Sequence, residues 1–216
     1  MASRQPQSEP PDEPPALHTR ALQDLSYIRR TMEGASSFTD VPGWGLVVIG
    51  ATALMASAVA ASPGSPGRWI TIWLIEALLA ACIGLVMTWR KMRRRTRAAG
   101  APILSVPARK FLFGFWPAIL AGAVLTFALI DPAGIWDEYA TVPRILPGLW
   151  LLLYGVGVMT AGAFSVRAVP LMGAGLILMG AIALLVHSAP ENLLLAFGFG
   201  PWQIGFGIWI ARRHGG

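Results

Sequence analysis

WITIWLIEALLAACIGLVMTWRKMRRRTR (residues 69–97) sets a long apolar run directly against a run of bases. From Trp69 to Trp89 only Thr71, Glu76 and Thr88 are polar. At 1.5 Å per residue this stretch reaches about 30 Å, the thickness of a bilayer's hydrocarbon core. A Trp at each end suits the two membrane interfaces. Arg90, Lys91, Arg93, Arg94, Arg95 and Arg97 follow at once, and such side chains are costly at the bilayer centre. The stretch therefore reads as a transmembrane helix with a fixed basic end.

Similar apolar runs cover about 44–61, 108–130, 145–165, 169–186 and 193–211. The expected fold is all-α: an integral membrane six-helix bundle over 44–212, preceded by a cytoplasmic amphipathic helix. The placement of basic residues gives the orientation. Arg4, Arg20, Arg29 and Arg30 precede the first span. Eight bases separate spans two and three, Arg167 follows span four, and Arg212 and Arg213 follow span six. Only Arg68 and Arg144 fall on the other side. Basic loops stay in the cytoplasm, so both termini are expected inside.

Composition agrees. The chain has 216 residues, 55% hydrophobic and 13% charged, whereas soluble domains carry about 25% charged residues. Little length remains for a separate soluble enzyme domain. The formal charge of +6 fits anionic lipid headgroups beside the basic loops, and no nucleic-acid partner is expected. Cys82 is the only cysteine, so neither an intrachain disulfide nor a cysteine metal cluster is expected. The first forty residues hold no apolar h-region, which argues against a cleavable signal.

Residues 1–15 are polar and Pro-rich, a composition expected to stay disordered. Over 16–34, Leu17, Ala21, Leu25, Ile28 and Met32 recur at steps of four and three, which is one face of an amphipathic helix. A helix of this length is marginal alone in water. Its stripe calls for the bilayer interface, the bundle's cytoplasmic end, a second copy or a protein partner. Asp40, Pro42 and Trp44 suit a helix start at a membrane interface.

Connections narrow the topology. Residues 62–68 and 187–192 read as tight turns, 90–107 as a basic inner loop, and 131–144 as an outer connection carrying Asp131, Asp137 and Glu138. The short link between spans four and five requires antiparallel neighbours. Pro42-Gly43-Trp44 with Gly50, and Pro147-Gly148-Leu149-Trp150 with Gly155, share one offset. That offset raises the question of an inverted repeat of spans one to three and four to six.

Glu76 is the one ionisable residue deep inside a span. Ala80, Gly84 and Thr88 lie below it at steps of four, and small lines mark helix contacts. Glu76 is therefore expected to face protein. Ser57, Thr126, Tyr154 and Gln203 lie at similar depth and complete a candidate intramembrane polar site. Such a site suits either a proton or cation step or a structural hydrogen bond. Gly114, Ala118, Gly122 and Thr126, and likewise Gly157 and Ala161, form further small lines, expected to pack within one bundle rather than at a dimer seam. Pro201, among Gly198, Gly200, Gly205 and Gly207, predicts a kink in span six. His18, His187 and His214 fall on opposite sides, so no metal site is expected. No catalytic or cofactor fingerprint occurs, and neither an enzyme nor a cofactor is expected.

Leu25-Ser26-Tyr27-Ile28-Arg29-Arg30-Thr31-Met32-Glu33, Ser37-Phe38-Thr39 and Val41-Pro42-Gly43-Trp44-Gly45 resemble the N-terminus of a family of small bacterial six-span membrane proteins. Its pattern reads YIRxTME, then FTxVPGWG. The family carries no assigned activity, so no site residues transfer. The resemblance implies a bacterial cytoplasmic membrane and weight on the helix and its junction. Asp40 departs from the small neutral residue that this pattern carries.

Three readings follow. The preferred one is a membrane accessory or sensory protein that binds in lipid, or to a protein partner or second copy through residues 16–34. The second is a small transporter or channel subunit with Glu76 as coupling residue. The third is a lipid enzyme using Glu76 or Asp131, Asp137 and Glu138.

Overall fold

A computed structural model describes residues 20–28, 41–62, 65–99, 105–130, 142–163, 165–186 and 191–214. The expected tail (1–15), the ends of the amphipathic helix, Asp40, and the acidic residues Asp131, Asp137 and Glu138 lie outside them, as do His18 and His187. The chain divides into two compact units, Met1–Ser36 and Ser37–Gly216. In the first, residues 20–28 are helical. Ser26 Oγ donates to Gln23 O at 2.8 Å, and Leu22, Leu25 and Ile28 are exposed.

The second unit is all-α: α1 Gly43–Ala60, α2 Pro66–Ala99, α3 Val106–Leu129, α4 Val142–Gly162, α5 Ala168–Leu185, α6 Glu191–Phe197, a π-helical turn Gly198–Trp202, and α7 Gln203–His214. Among the described residues six helical spans are long and apolar enough to cross a membrane; the sixth, Asn192–Arg213, comprises most of α6, the π turn and most of α7. The chain is thus a multi-pass membrane protein in its architecture. Its helix α2 corrects one expectation. Residues 90–99, read as loop, continue the helix. Arg, Lys, Met and Ala are good helix formers, and no Gly or Pro interrupts the run before Gly100.

Small residues set the packing. A Cβ on Gly155 would sit 2.9 Å from Gly173 O and 2.7 Å from Ile177 N, and one on Gly173 only 2.8 Å from Gly155 O. Helices α4 and α5 therefore meet backbone to backbone, as the short link between them required. The seam between α1 and the sixth span repeats this geometry: a Cβ on Gly50 would lie 2.8 Å from Gly200 O in the π turn and 3.2 Å from Ile204 N in α7. One seven-residue glycine spacing recurs in all four helical partners: Gly43 and Gly50, Gly148 and Gly155, Gly173 and Gly180, Gly200 and Gly207. Bare glycine surfaces let helices approach where lipid offers no hydrophobic drive for association.

The lines on α3 and α4 also face each other. A Cβ on Gly114 would lie 3.0 Å from Ala161 N, one on Gly157 would lie 3.0 Å from Ala118 Cβ, and one on Gly122 would lie 3.9 Å from Leu153. These lines pack inside the bundle. The best-buried core lies where α4, α5 and the sixth span converge, at Leu151, Leu176 and Leu195. Gly198 gives way there to Leu151 and Leu176.

Candidate functional site

Two helices bring Glu76 its partner. The face of α2 that carries Glu76 and Gly84 packs on α1, where a Cβ on Gly84 would lie 3.7 Å from Ile49. Glu76 is 7% exposed, and Thr52 Oγ1 donates to its Oε1 at 2.8 Å. The same hydroxyl lies 2.9 Å from Ile49 O. It carries one proton, so the carboxylate and the carbonyl share it. A hydrogen-bonded acid facing protein is the arrangement that makes an intramembrane carboxyl tolerable. Ser57 is half-buried on α1. Five residues beyond Thr52, it points about 140° away around the helix.

The other candidates fall into two further groups. Trp150 Nε1 donates to Thr126 Oγ1 at 2.7 Å, and Thr126 donates in turn to Gly122 O at 2.7 Å. That chain ties α4 to α3. Gln203 lies within hydrogen-bonding reach of Tyr154, bringing α7 against α4. Gln203 is 1% exposed, and its Oε1 has no partner among the described residues. Its NH2 group is therefore the donor toward the phenol. Gln203 directly follows the π turn, in which Pro201 supplies no backbone N–H. The expected interruption of span six takes this form.

Of the five candidate residues, the structure joins Tyr154 with Gln203 and gives Glu76 and Thr126 other partners. Sequence reasoning missed those partners, Thr52 and Trp150. A signal for Thr52 existed: Val41, Gly45, Ile49 and Thr52 recur at steps of four, four and three, the phase of one helix face, and Ser57 falls outside it. Among the described residues no three His, Cys, Asp or Glu side chains gather for a metal. Cys82 is free and exposed on the outer surface of α2.

Two of these pairs, through Tyr154 and Trp150, belong to a series of aromatic rings. A connected series runs Phe111, Phe115, Tyr154, Phe199, Trp73, Trp69 and Trp150, with centroids 5.3–6.5 Å apart. Trp69 and Trp150 stack at an interplanar angle of 3°. The other pairs are tilted, edge-on or nearly parallel, within the range that such rings favour. The series starts at Phe111 on α3, passes through α4, the sixth span and α2, and ends at Trp150 on α4, so it links four spans. A second series, Phe197, Trp202, Phe206 and Trp209, follows the sixth span. Trp202 Nε1 from that series donates to Met172 O at 3.1 Å.

Comparison with protein-family models, curated proteins and solved structures returned no match.

Proposed function

We propose that this chain is a membrane accessory or sensory protein that acts by binding, anchored in a bacterial inner membrane with both termini in the cytoplasm. The observation that carries this reading is how the polar groups inside the spans are used. Glu76, Thr126 and Tyr154 are each tied to a neighbouring helix, and the rings of Phe115 and Phe199 pack edge-on against Tyr154. This suits a rigid anchor better than a path for a substrate, and it assigns no chemistry to the spans. The working surface is then the N-terminal helix, whose Leu22, Leu25 and Ile28 lie uncovered. The test is capture from native nanodiscs with the full chain and with a chain lacking residues 1–34. The reading expects a defined protein, or a second copy, held by the full chain and lost on truncation. Equal capture by both chains removes the role of the helix.

A second reading has its own observation. The unpaired Oε1 of Gln203 beside the π turn is a buried acceptor with no structural use, and π turns are frequent at functional sites. A transporter using Glu76 as coupling residue would lose proton-driven flux in Glu76→Gln. Unchanged flux would end that reading.

A further inference from the structure

The end of α2 is a preformed stripe rather than a diffuse basic loop. Arg90, Arg93, Arg94 and Arg97 stand at steps of three, one and three, and all are exposed. On a helix these positions span about 100° of one face. Neighbouring faces are occupied. Lys91 Nζ donates to Val41 O at 3.1 Å, which fixes this helix end to the start of α1, and Met92 is buried. Arg93 lies over the Trp89 ring, 5.8 Å from its centroid. Among the described residues none of the four arginines has a carboxylate partner.

Depth identifies the occupant. Trp69 and Trp89 stand about 30 Å apart along the axis, so Trp89 marks one edge of the hydrocarbon core. Beyond it, Arg90, Arg93, Arg94 and Arg97 lie at about 1.5, 6, 7.5 and 12 Å. A headgroup layer is about 5–8 Å thick on each side of the core. The Cα atoms of Arg90, Arg93 and Arg94 thus stand within the headgroup layer, and that of Arg97 just past it. Arg offers a planar fork that matches phosphate oxygens in pairs.

We propose that this stripe is a binding site for anionic phospholipid headgroups, built on a helix held by Lys91 and Met92. It does not depend on which side of the membrane the end occupies. A soluble acidic protein would need the bases to project past the headgroups, where only Arg97 reaches.

The test uses the full chain in mixed phosphatidylcholine and phosphatidylglycerol vesicles. Spin-labelled versions of each lipid report their relative affinity for the protein surface. A basic side chain near an anionic surface is worth about fivefold, so two engaged arginines give a preference for phosphatidylglycerol of about 25-fold. Replacing all four (Arg90→Gln, Arg93→Gln, Arg94→Gln, Arg97→Gln) should bring the ratio near one, whereas Arg68→Gln at the other end should leave it unchanged. The wild-type chain gives an independent reading, because its preference should fall steeply with added salt. A wild-type ratio near one overturns the proposal. So does a preference that survives the fourfold change, or one that emerges only after removal of acidic Glu9, Asp12 and Glu13, which would make the chain's own tail the occupant.

Discussion

Alanine at Gly173 would put a methyl carbon 2.6 Å from Met159 N, 2.8 Å from Gly155 O and 2.9 Å from Met159 Cα. Ordinary contact begins at 3.4 Å, and all three atoms belong to backbone that no rotamer change can move. The two helices must part by roughly 0.5–1 Å, which forfeits a quarter to a half of the dispersion energy of each contact along the seam. Overpacking of this kind costs about 1–3 kcal/mol. Gly155→Ala meets the same place from the other side, with Gly173 O at 2.9 Å, and should cost as much. Once one methyl has parted the helices the second enters space already opened, so the double variant should fall short of the sum of the singles. Gly205 is the control. Among the described residues nothing lies within 4 Å of its Cβ position, so Gly205→Ala should be neutral, or stabilising by up to about 1 kcal/mol through helix propensity. Thermal unfolding in detergent, followed by tryptophan fluorescence, ranks the four variants. If Gly205→Ala proves as damaging as Gly173→Ala, or the double is fully additive, the backbone seam is not what holds α4 to α5.

Three further outcomes follow from single contacts. Trp150→Phe removes the donor to Thr126 while keeping a ring against Trp69. A cycle with Thr126→Val should give a coupling of about 0.5–2 kcal/mol, and zero coupling would remove the α3–α4 hydrogen bond. Glu76→Gln keeps an acceptor for Thr52 and should fold as the parent does. Glu76→Leu leaves Thr52 only the carbonyl of its own helix, so it should lose helix pairing worth about 1 kcal/mol, read by the same unfolding assay. Cys82, exposed on α2 seven residues before Trp89, should react with a lipid-soluble maleimide and resist a charged, impermeant one. Rapid modification by the impermeant reagent would take α2 out of the hydrocarbon.

Much of the bundle was legible because span and seam are local properties. Hydropathy places the spans, and the four-step lines on α3 and α4 proved to be the faces on which those helices meet. The pairing of α1 with α7 was not legible, since chain connectivity reports only sequential neighbours. Its signal was the seven-residue spacing of Gly43 and Gly50 matched in Gly200 and Gly207, which names compatible surfaces but not which pair is used. The α4–α5 seam has the same spacing, so Gly148 and Gly155 would fit either partner. The segment after Trp89 continues as helix although its charge suggests a loop, because no stop signal precedes Gly100. For Glu76, depth alone drew in Ser57, and helix phase would have chosen Thr52. The ring series was beyond sequence reasoning. Phe111, Phe115, Tyr154, Phe199 and Trp73 sit on four helices whose relative rotation no single-helix pattern fixes.

The central claim is that the spans form a filled anchor, with no water path through the polar groups that they bury. Cysteine accessibility tests it most directly. Thr52 and Thr126 each accept a near-isosteric cysteine, so Thr52→Cys and Thr126→Cys, made with Cys82→Ser, probe the Glu76 and Trp150 pairs without opening a cavity. In sealed vesicles treated with a charged thiol reagent from either side, both cysteines should stay unmodified until the protein is denatured. Modification of Thr52→Cys in the folded protein would show water beside Glu76, contradict the anchor, and favour the transport reading.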